Sequence, residues 1–356
     1  MGVSGRADYQ IDIVKFGDLD LSDPFFDSLK EDYSEFPDWF ARKSENEASV
    51  IFDESGRLQA FLFIKFETGP LSDVEPPMPA ANRMKVGTFK INPHGTRLGE
   101  RFVKRIVDTA IARGVDEAYV TIFEKHERLV ALLGKYGFAR TGTKTTPNGT
   151  EIVLTKSFRT LSGDILQDYP FIHSRGRRKY LLSIHPEYHT RLLPDSILNT
   201  ESYDTLEDVS HTNSIHKIYI CRMDLSALRP GDILILYRTS DGQGAAHYRS
   251  VATSIGVVEK VRQRAEFRDE DTYVKECLPY SVFSETELRN YWKDFSRLFV
   301  VKFSYNAALT KRVTRKVLIE DAGLNPGAYW GFLPLNDSQF RHILELGRVQ
   351  ESLVVD

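Results

Sequence analysis

The stretch Phe89-Lys90-Ile91-Asn92-Pro93-His94-Gly95-Thr96-Arg97-Leu98-Gly99-Glu100-Arg101-Phe102 carries the most specific chemistry in the chain. A β-rich run enters a glycine-containing turn. The turn opens an amphipathic segment with Phe102, Ile106, Ala110 and Ile111 on one face. Backbone N–H groups in the first turn of a helix have no partner inside the helix and favour negative charge. Such a turn can hold a pyrophosphate without any special side chain, and glycines let the backbone come close to it. Arg97 adds a guanidinium able to contact phosphate directly.

A second segment follows at a matching distance: His126-Glu127-Arg128-Leu129-Val130-Ala131-Leu132-Leu133-Gly134-Lys135-Tyr136-Gly137-Phe138. It reads as a polar residue opening a short helix that ends in a glycine–phenylalanine pair. Together the two segments resemble the GNAT family of N-acetyltransferases, over about residues 10–158. The resemblance implies a twisted mixed sheet, splayed between strands at Arg83–Ile91 and Glu117–Phe123. It implies acetyl-CoA as cosubstrate, with the pantetheine arm in the splay bonded to backbone near Phe89 and Ile91. The phosphates would then sit on the turn that includes Gly95, Thr96, Arg97, Gly99 and Glu100. Four departures bear on chemistry. Arg97 takes the place of the first glycine of the family's Gly-x-Gly pair, in a turn about two residues shorter than usual after Pro93. Leu133 stands where the family often has a tyrosine acid, and His126 where it has asparagine, so no catalytic residue carries over.

The elements that must position these segments are legible in outline. Tyr9–Phe16 alternates like a strand, and Pro24–Phe40 has near-helical aromatic spacing with acidic residues Glu31, Asp32 and Glu35. Ser49–Phe52 and Leu58–Phe66 flank the turn Asp53-Glu54-Ser55-Gly56 and read as a hairpin. Gly69–Asn82 contains four prolines and reads as an irregular loop. Arg83–Ile91, Glu117–Phe123 and Glu151–Lys156 read as strands, Gly99–Arg113 and Glu127–Tyr136 as helices. The helix between Arg83–Ile91 and Glu117–Phe123 predicts that these two strands run parallel.

Beyond a linker read at 159–178, the pattern becomes β-rich. Strands are expected at Tyr180–Ile184, Ile218–Met223, Asp232–Arg238, Ser250–Lys260 and Leu298–Tyr305, with helices at Glu285–Asp294 and Ser338–Leu346. Arg229-Pro230-Gly231-Asp232 feeds an apolar strand, and Val251–Val258 follows. This stretch resembles the PUA-like superfamily, including its ASCH and EVE members, over roughly 175–350. That resemblance implies a pseudo-barrel whose cleft, in several branches, binds RNA or a modified base. Within 297–316 there are six basic residues and no acidic one. Lys311, Arg312, Arg315 and Lys316 suit phosphate contact, and Trp330, beside Tyr329, offers a ring for base stacking. Arg175-Gly176-Arg177-Arg178-Lys179 is a second compact basic run.

The fold class expected is therefore α/β, a GNAT-type twisted mixed sheet with flanking helices over 1–158. An α+β, β-rich PUA-like pseudo-barrel follows over 179–356. A chain of 356 residues suits two domains, and 41% hydrophobic with 27% charged residues suits a soluble protein. No apolar run approaches membrane-spanning length. The opening residues carry no secretory pattern, and two cysteines without paired spacing make neither a disulfide framework nor a zinc site, so a cytoplasmic home and no metal are expected. The net charge of −3 hides an asymmetry: residues 1–75 hold 17 acidic against 7 basic residues, and 76–160 hold 7 against 15. The leading functional reading is direct acetyl transfer from acetyl-CoA to an amine, on RNA or an aminoacyl-tRNA. A second is a nucleic-acid-binding regulator that senses acetyl-CoA. A third is a small-amine or protein acetyltransferase that uses its second domain to dimerise.

Overall fold

The computed structural model describes residues 11–92, 98–193 and 214–356, which divide into two compact units, Met1–Asp168 and Tyr169–Asp356. The first unit contains strands β1 (Asp12–Lys15), β2 (Glu47–Phe52), β3 (Leu58–Leu71), β4 (Met78–Ile91), β5 (Glu117–Ile122), β6 (Ala139–Thr146) and β7 (Gly149–Ser157). Its helices are α1 (Asp27–Asp32), α2 (Phe36–Ala41), α3 (Leu98–Arg113) and α4 (Glu127–Lys135). The seven strands form one mixed sheet in the order β1-β2-β3-β4-β5-β7-β6. Among the described residues of this unit only the β4–β5 pair is parallel, as the α3 crossover requires.

The helix expected over Pro24–Phe40 is broken. Pro24–Phe26 forms a 3-10 turn started by the Asp23 side chain, which accepts from the Phe25 N–H at 2.8 Å. Chain direction changes again after Asp32, and Pro37 lies in the first turn of α2. A proline is harmless there but would clash with the carbonyl four residues back in a continuous helix. The pieces are held by aromatic packing: Phe16 and Phe26 meet Phe61 of β3 edge-on, at 5.2 and 5.7 Å between ring centroids.

The proline-rich stretch 69–82 is also not a loop throughout. β3 runs to Leu71 and β4 starts at Met78, with a register shift between Gly69 and Leu71. Pro70 and Pro79 fall within that shift, where the ladder asks nothing of a missing N–H. β6, not anticipated from the sequence, pairs with β7 through a hairpin at Thr146–Gly149.

The second unit contains β8 (Ile172–His173), β9 (Lys179–Ile184), β10 (His216–Cys221), β11 (Ile233–Arg238), β12 (Val251–Gln263), β13 (Phe299–Thr314), β14 (Phe332–Leu335) and β15 (Val354–Val355). Its helices are α5 (Pro186–Leu192), α6 (Ala246–Arg249), α7 (Glu270–Cys277), α8 (Glu285–Asp294), α9 (Arg315–Glu320) and α10 (Asp337–Leu346). Six strands form a sheet in the order β10-β13-β12-β11-β9-β14, with β9 parallel to β11. Three register shifts between β12 and β13 bend it. Among the described residues β10 and β14 remain edges, so the barrel is not closed. β8, inside the stretch read as a linker, pairs with β15.

The core lies between this sheet and the helices, around Leu182, Leu234, Leu236, Val258, Leu288 and Phe303. α8 and α10 start where their capping residues dictate. Ser284 and Glu287, and likewise Asn336 and Gln339, satisfy each other's backbone N–H groups.

Candidate functional site

The parallel ladder between β4 and β5 is short. It runs from Arg83↔Glu117 to Val86↔Val120 and stops. Beyond it β4 continues through Gly87–Ile91 paired with β3 alone, and β5 continues through Thr121–Ile122 paired with β7 alone. Gly87 marks the divergence. The β3–β4 register passes from Ile64↔Val86 to Phe63↔Thr88, leaving Gly87 as the extra residue of a bulge. Bulges bend a strand and increase its twist. A Cβ at Gly87 would stand 2.8 Å from Phe63 Cδ1, so the bulge is packed tightly against β3. Along the open edge of β4, every second residue turns its N–H and C=O into the cleft. These groups require partners, and an extended, amide-bearing ligand supplies them as an added strand would.

At the end of the β4 limb the chain reaches α3. Gly95, Thr96 and Arg97 lie outside the described residues. Gly99 is in the first turn of α3, where a Cβ would be 2.6 Å from Leu132 Cδ2 of α4. Its lack of a side chain thus lets two helices approach. Glu100 is buried, and its carboxylate pairs with Lys135 Nζ of α4 at 2.9 Å. That carboxylate braces the helix pair. Phe89 is buried against Phe102 at 5.9 Å between centroids, so its main chain rather than its ring is available to the cleft. Ile91 is half-buried. Leu133 and Tyr136 are fully buried.

α1 bridges the two limbs on one face. Lys90 of β4 donates to Ser28 Oγ at 2.5 Å and lies 5.0 Å from the Phe25 ring centroid. On the β5 side Asp32 pairs with Lys125 and, at 2.9 Å, with His126 Nε2. Tyr33, just past α1, donates to Glu151 of β7 at 2.6 Å and packs on Phe123 at 5.3 Å. Burial and the Glu151 carboxylate push the Tyr33 phenol far above its usual range, keeping it protonated. Glu35 is held by the Asn148 amide at 2.8 Å, which lowers its carboxyl below the usual range. Asp32 and Glu35 therefore each have a side-chain partner, while Glu31 is exposed. The Asp32 and Tyr33 contacts join positions about a hundred residues apart, which no local pattern announces.

In the second unit the basic segment ends β13 and begins α9. Lys311 is exposed. Arg312 donates to the Leu309 carbonyl. The Arg315 guanidinium lies 4.3 Å from the Trp330 ring centroid, and Lys316 Nζ is 3.8 Å from Glu320. Trp330 does not offer the stacking face expected of it. It is only 6% exposed, its ring meets Tyr237 at 5.4 Å, and its Nε1–H donates to the Asn325 carbonyl at 3.2 Å. Among the described residues of this unit the exposed tyrosine rings are Tyr329, at 69%, and Tyr248, at 63%, the latter 5.9 Å from Lys316 Nζ. The run 175–179 is partly structural, since Arg178 pairs with Asp232 at 2.7 Å and buried Lys179 with Asp337 at 2.6 Å. Among the described residues no group of three or more His, Cys, Asp or Glu could hold a metal ion, and no helix is long and apolar enough to cross a membrane.

No family model matches this sequence, and no curated protein matches it. Solved structures of both kinds anticipated above are similar to the chain. ASCH from Zymomonas mobilis is 12% identical with a TM-score of 0.33, covering 47% of this chain and 94% of that one. The NatC complex bound to Gag peptide and CoA is 16% identical with a TM-score of 0.28, covering 41% and 97%. An acyl-CoA N-acyltransferase from Pseudomonas aeruginosa is 15% identical with a TM-score of 0.26, covering 41% and 98%.

Proposed function

We propose that the first unit is an acetyl-CoA-dependent N-acetyltransferase of the GNAT type, acting by direct transfer to an amine. The observation that carries this reading is the end of β4–β5 pairing at Val86/Val120, with the Gly87 bulge beside it. The cleft that results has an open strand edge on one wall and the start of α3 at its end. Pantetheine, with two amides, fits an open edge near Phe89 and Ile91. Its pyrophosphate fits the first turn of α3 at Gly99 and Glu100, and Gly95, Thr96 and Arg97, the preceding residues in sequence, are the further contacts this reading assigns. A backbone N–H of the open edge would stabilise charge on the thioester oxygen as the amine attacks. The anchored carboxylates Asp32, Glu35 and Glu151 favour a cationic acceptor at the α1 face.

The second unit would present the acceptor, an amine on RNA or an aminoacyl-tRNA. Exposed Lys311 and the rings of Tyr248 and Tyr329 support that extension. Buried Leu133, at the place of the usual tyrosine acid, favours one alternative: a nucleic-acid-binding regulator that holds acetyl-CoA without turning it over. Calorimetric titration with acetyl-CoA, and thiol release with free amines and with aminoacyl-tRNA, separate these readings. Absence of acetyl-CoA binding removes both. Binding without thiol release leaves the sensor.

A further inference from the structure

His126 is placed at the β5 lip of the cleft. Its N–H closes a turn onto the Phe123 carbonyl at 3.1 Å, one turn beyond the end of β5. A polar residue at a helix start usually caps the helix, and His126 does not: its side chain makes no capping bond to α4. The ring instead meets Asp32 of α1, 94 residues away in sequence, with Nε2 at 2.9 Å from Oδ2. The Asp32 side chain is only 7% exposed, while that of His126 is 39% exposed. A carboxylate accepts, so Nε2 carries the hydrogen that is donated, and the lone pair of the neutral ring is on Nδ1. A shielded carboxylate thus fixes the tautomer and orientation of a solvent-reachable imidazole at the lip of the proposed thioester cleft.

Resting on the acetyl-transfer reading above, we infer that His126 is the proton carrier of the reaction and Asp32 its positioning residue. As the acceptor nitrogen bonds to the acetyl carbon and the carbon–sulfur bond breaks, Nδ1 takes the proton leaving nitrogen. The resulting imidazolium gives that proton to the departing thiolate. One N–C bond forms, one C–S bond breaks, and the proton lost by nitrogen ends on sulfur, so no metal or further reactant is needed. Asp32 stabilises the imidazolium between the two transfers. This arrangement also removes the need for a tyrosine acid at Leu133.

The test uses the full chain with ethylamine and a mixed aminoacyl-tRNA pool as acceptors. Acetyl-CoA binding is read by calorimetry and thiol release by absorbance. His126→Ala and His126→Asn should bind acetyl-CoA within about threefold of the parent and lose about 100-fold in kcat. Imidazole added to His126→Ala should restore part of the lost rate, which it would not do for a merely structural residue. Asp32→Asn should lower kcat with little change in KM for acetyl-CoA. If the parent protein fails to bind acetyl-CoA, the acetyltransferase reading itself falls and the proton-carrier role with it. If it binds but releases no thiol, the acetyltransferase reading gives way to the sensor and the proton-carrier role falls with it. If it releases thiol but His126→Asn keeps the parental kcat, or imidazole restores nothing, the role of His126 alone is overturned.

Discussion

Gly87 and Phe63 face each other across a register slip between β4 and β3, so close that a Cβ on Gly87 would lie 2.8 Å from the Phe63 ring. The bulge and the parting of β4 from β5 occur at one place in the sheet. Gly87→Ala should therefore cost about 1–3 kcal/mol of stability, the range for overpacking a tight site. It should also weaken acetyl-CoA binding if the cleft depends on this bend. Urea denaturation and calorimetry measure the two effects. Phe63→Leu in the same chain should return part of the stability, a coupling expected only for residues in contact.

Gly99 has two demands on it, and they can be separated. A side chain there meets Leu132, and a negative one also meets the proposed phosphates. Gly99→Glu should abolish acetyl-CoA binding. Adding Leu132→Ala opens space between α3 and α4 and should recover thermal stability without recovering binding. Recovery of both would mean that packing alone was at stake.

Leu133 is fully buried, which decides what a tyrosine there would do. Leu133→Tyr should lose about 1–3 kcal/mol by overpacking and gain no turnover. A thermal melt and a thiol-release assay on one preparation suffice. A large rise in rate would show that the position still reaches the thioester.

Nucleic-acid binding by the second unit should separate into a charge term and a stacking term. Lys311→Ala with Lys316→Ala should lower the salt slope of binding to single-stranded RNA by about 1.4, for two phosphates. Tyr248→Ala and Tyr329→Ala should each cost about 1–3 kcal/mol with an unchanged slope. Trp330→Ala should instead destabilise the unit by about 3–5 kcal/mol, because the ring is buried. Fluorescence anisotropy at several salt concentrations reads the first two effects. No binding even at low salt would remove RNA as the acceptor's carrier.

His189 supplies a pH dependence that does not involve the cleft. It is fully buried on α5, bonded through Nε2 to Thr253 Oγ1 at 2.8 Å, and burial with Arg238 and Arg312 nearby pushes it down to about 3. The unfolded chain takes up a proton near pH 6.5 that the folded chain refuses until about pH 3. Stability is therefore complete above pH 6.5 and falls with acidification towards pH 3, by about 1.4 kcal/mol per unit for this one group. His189→Asn should have a shallower loss of Tm between pH 6.5 and 4.5. Parallel curves for the two proteins would overturn the assignment.

The sequence by itself determined the order of elements around the cleft. Crossover length and helical spacing make β4 and β5 parallel, and periodicity places α3, α8 and α10, all of which are local physics. It also placed the basic run at 311–316. Composition misjudged the prolines at 70 and 79, because whether a missing N–H matters depends on which ladder position it occupies. Only tertiary structure decided that Trp330 is covered by Tyr237 and Arg315 while its neighbour Tyr329 is exposed, since alternation and propensity do not say which face another element will cover. Only tertiary structure set Asp32 against His126 and Tyr33 against Glu151. Those contacts depend on how α1 packs across the ends of β4 and β5, which the aromatic cluster beneath it fixes and no spacing along the chain records.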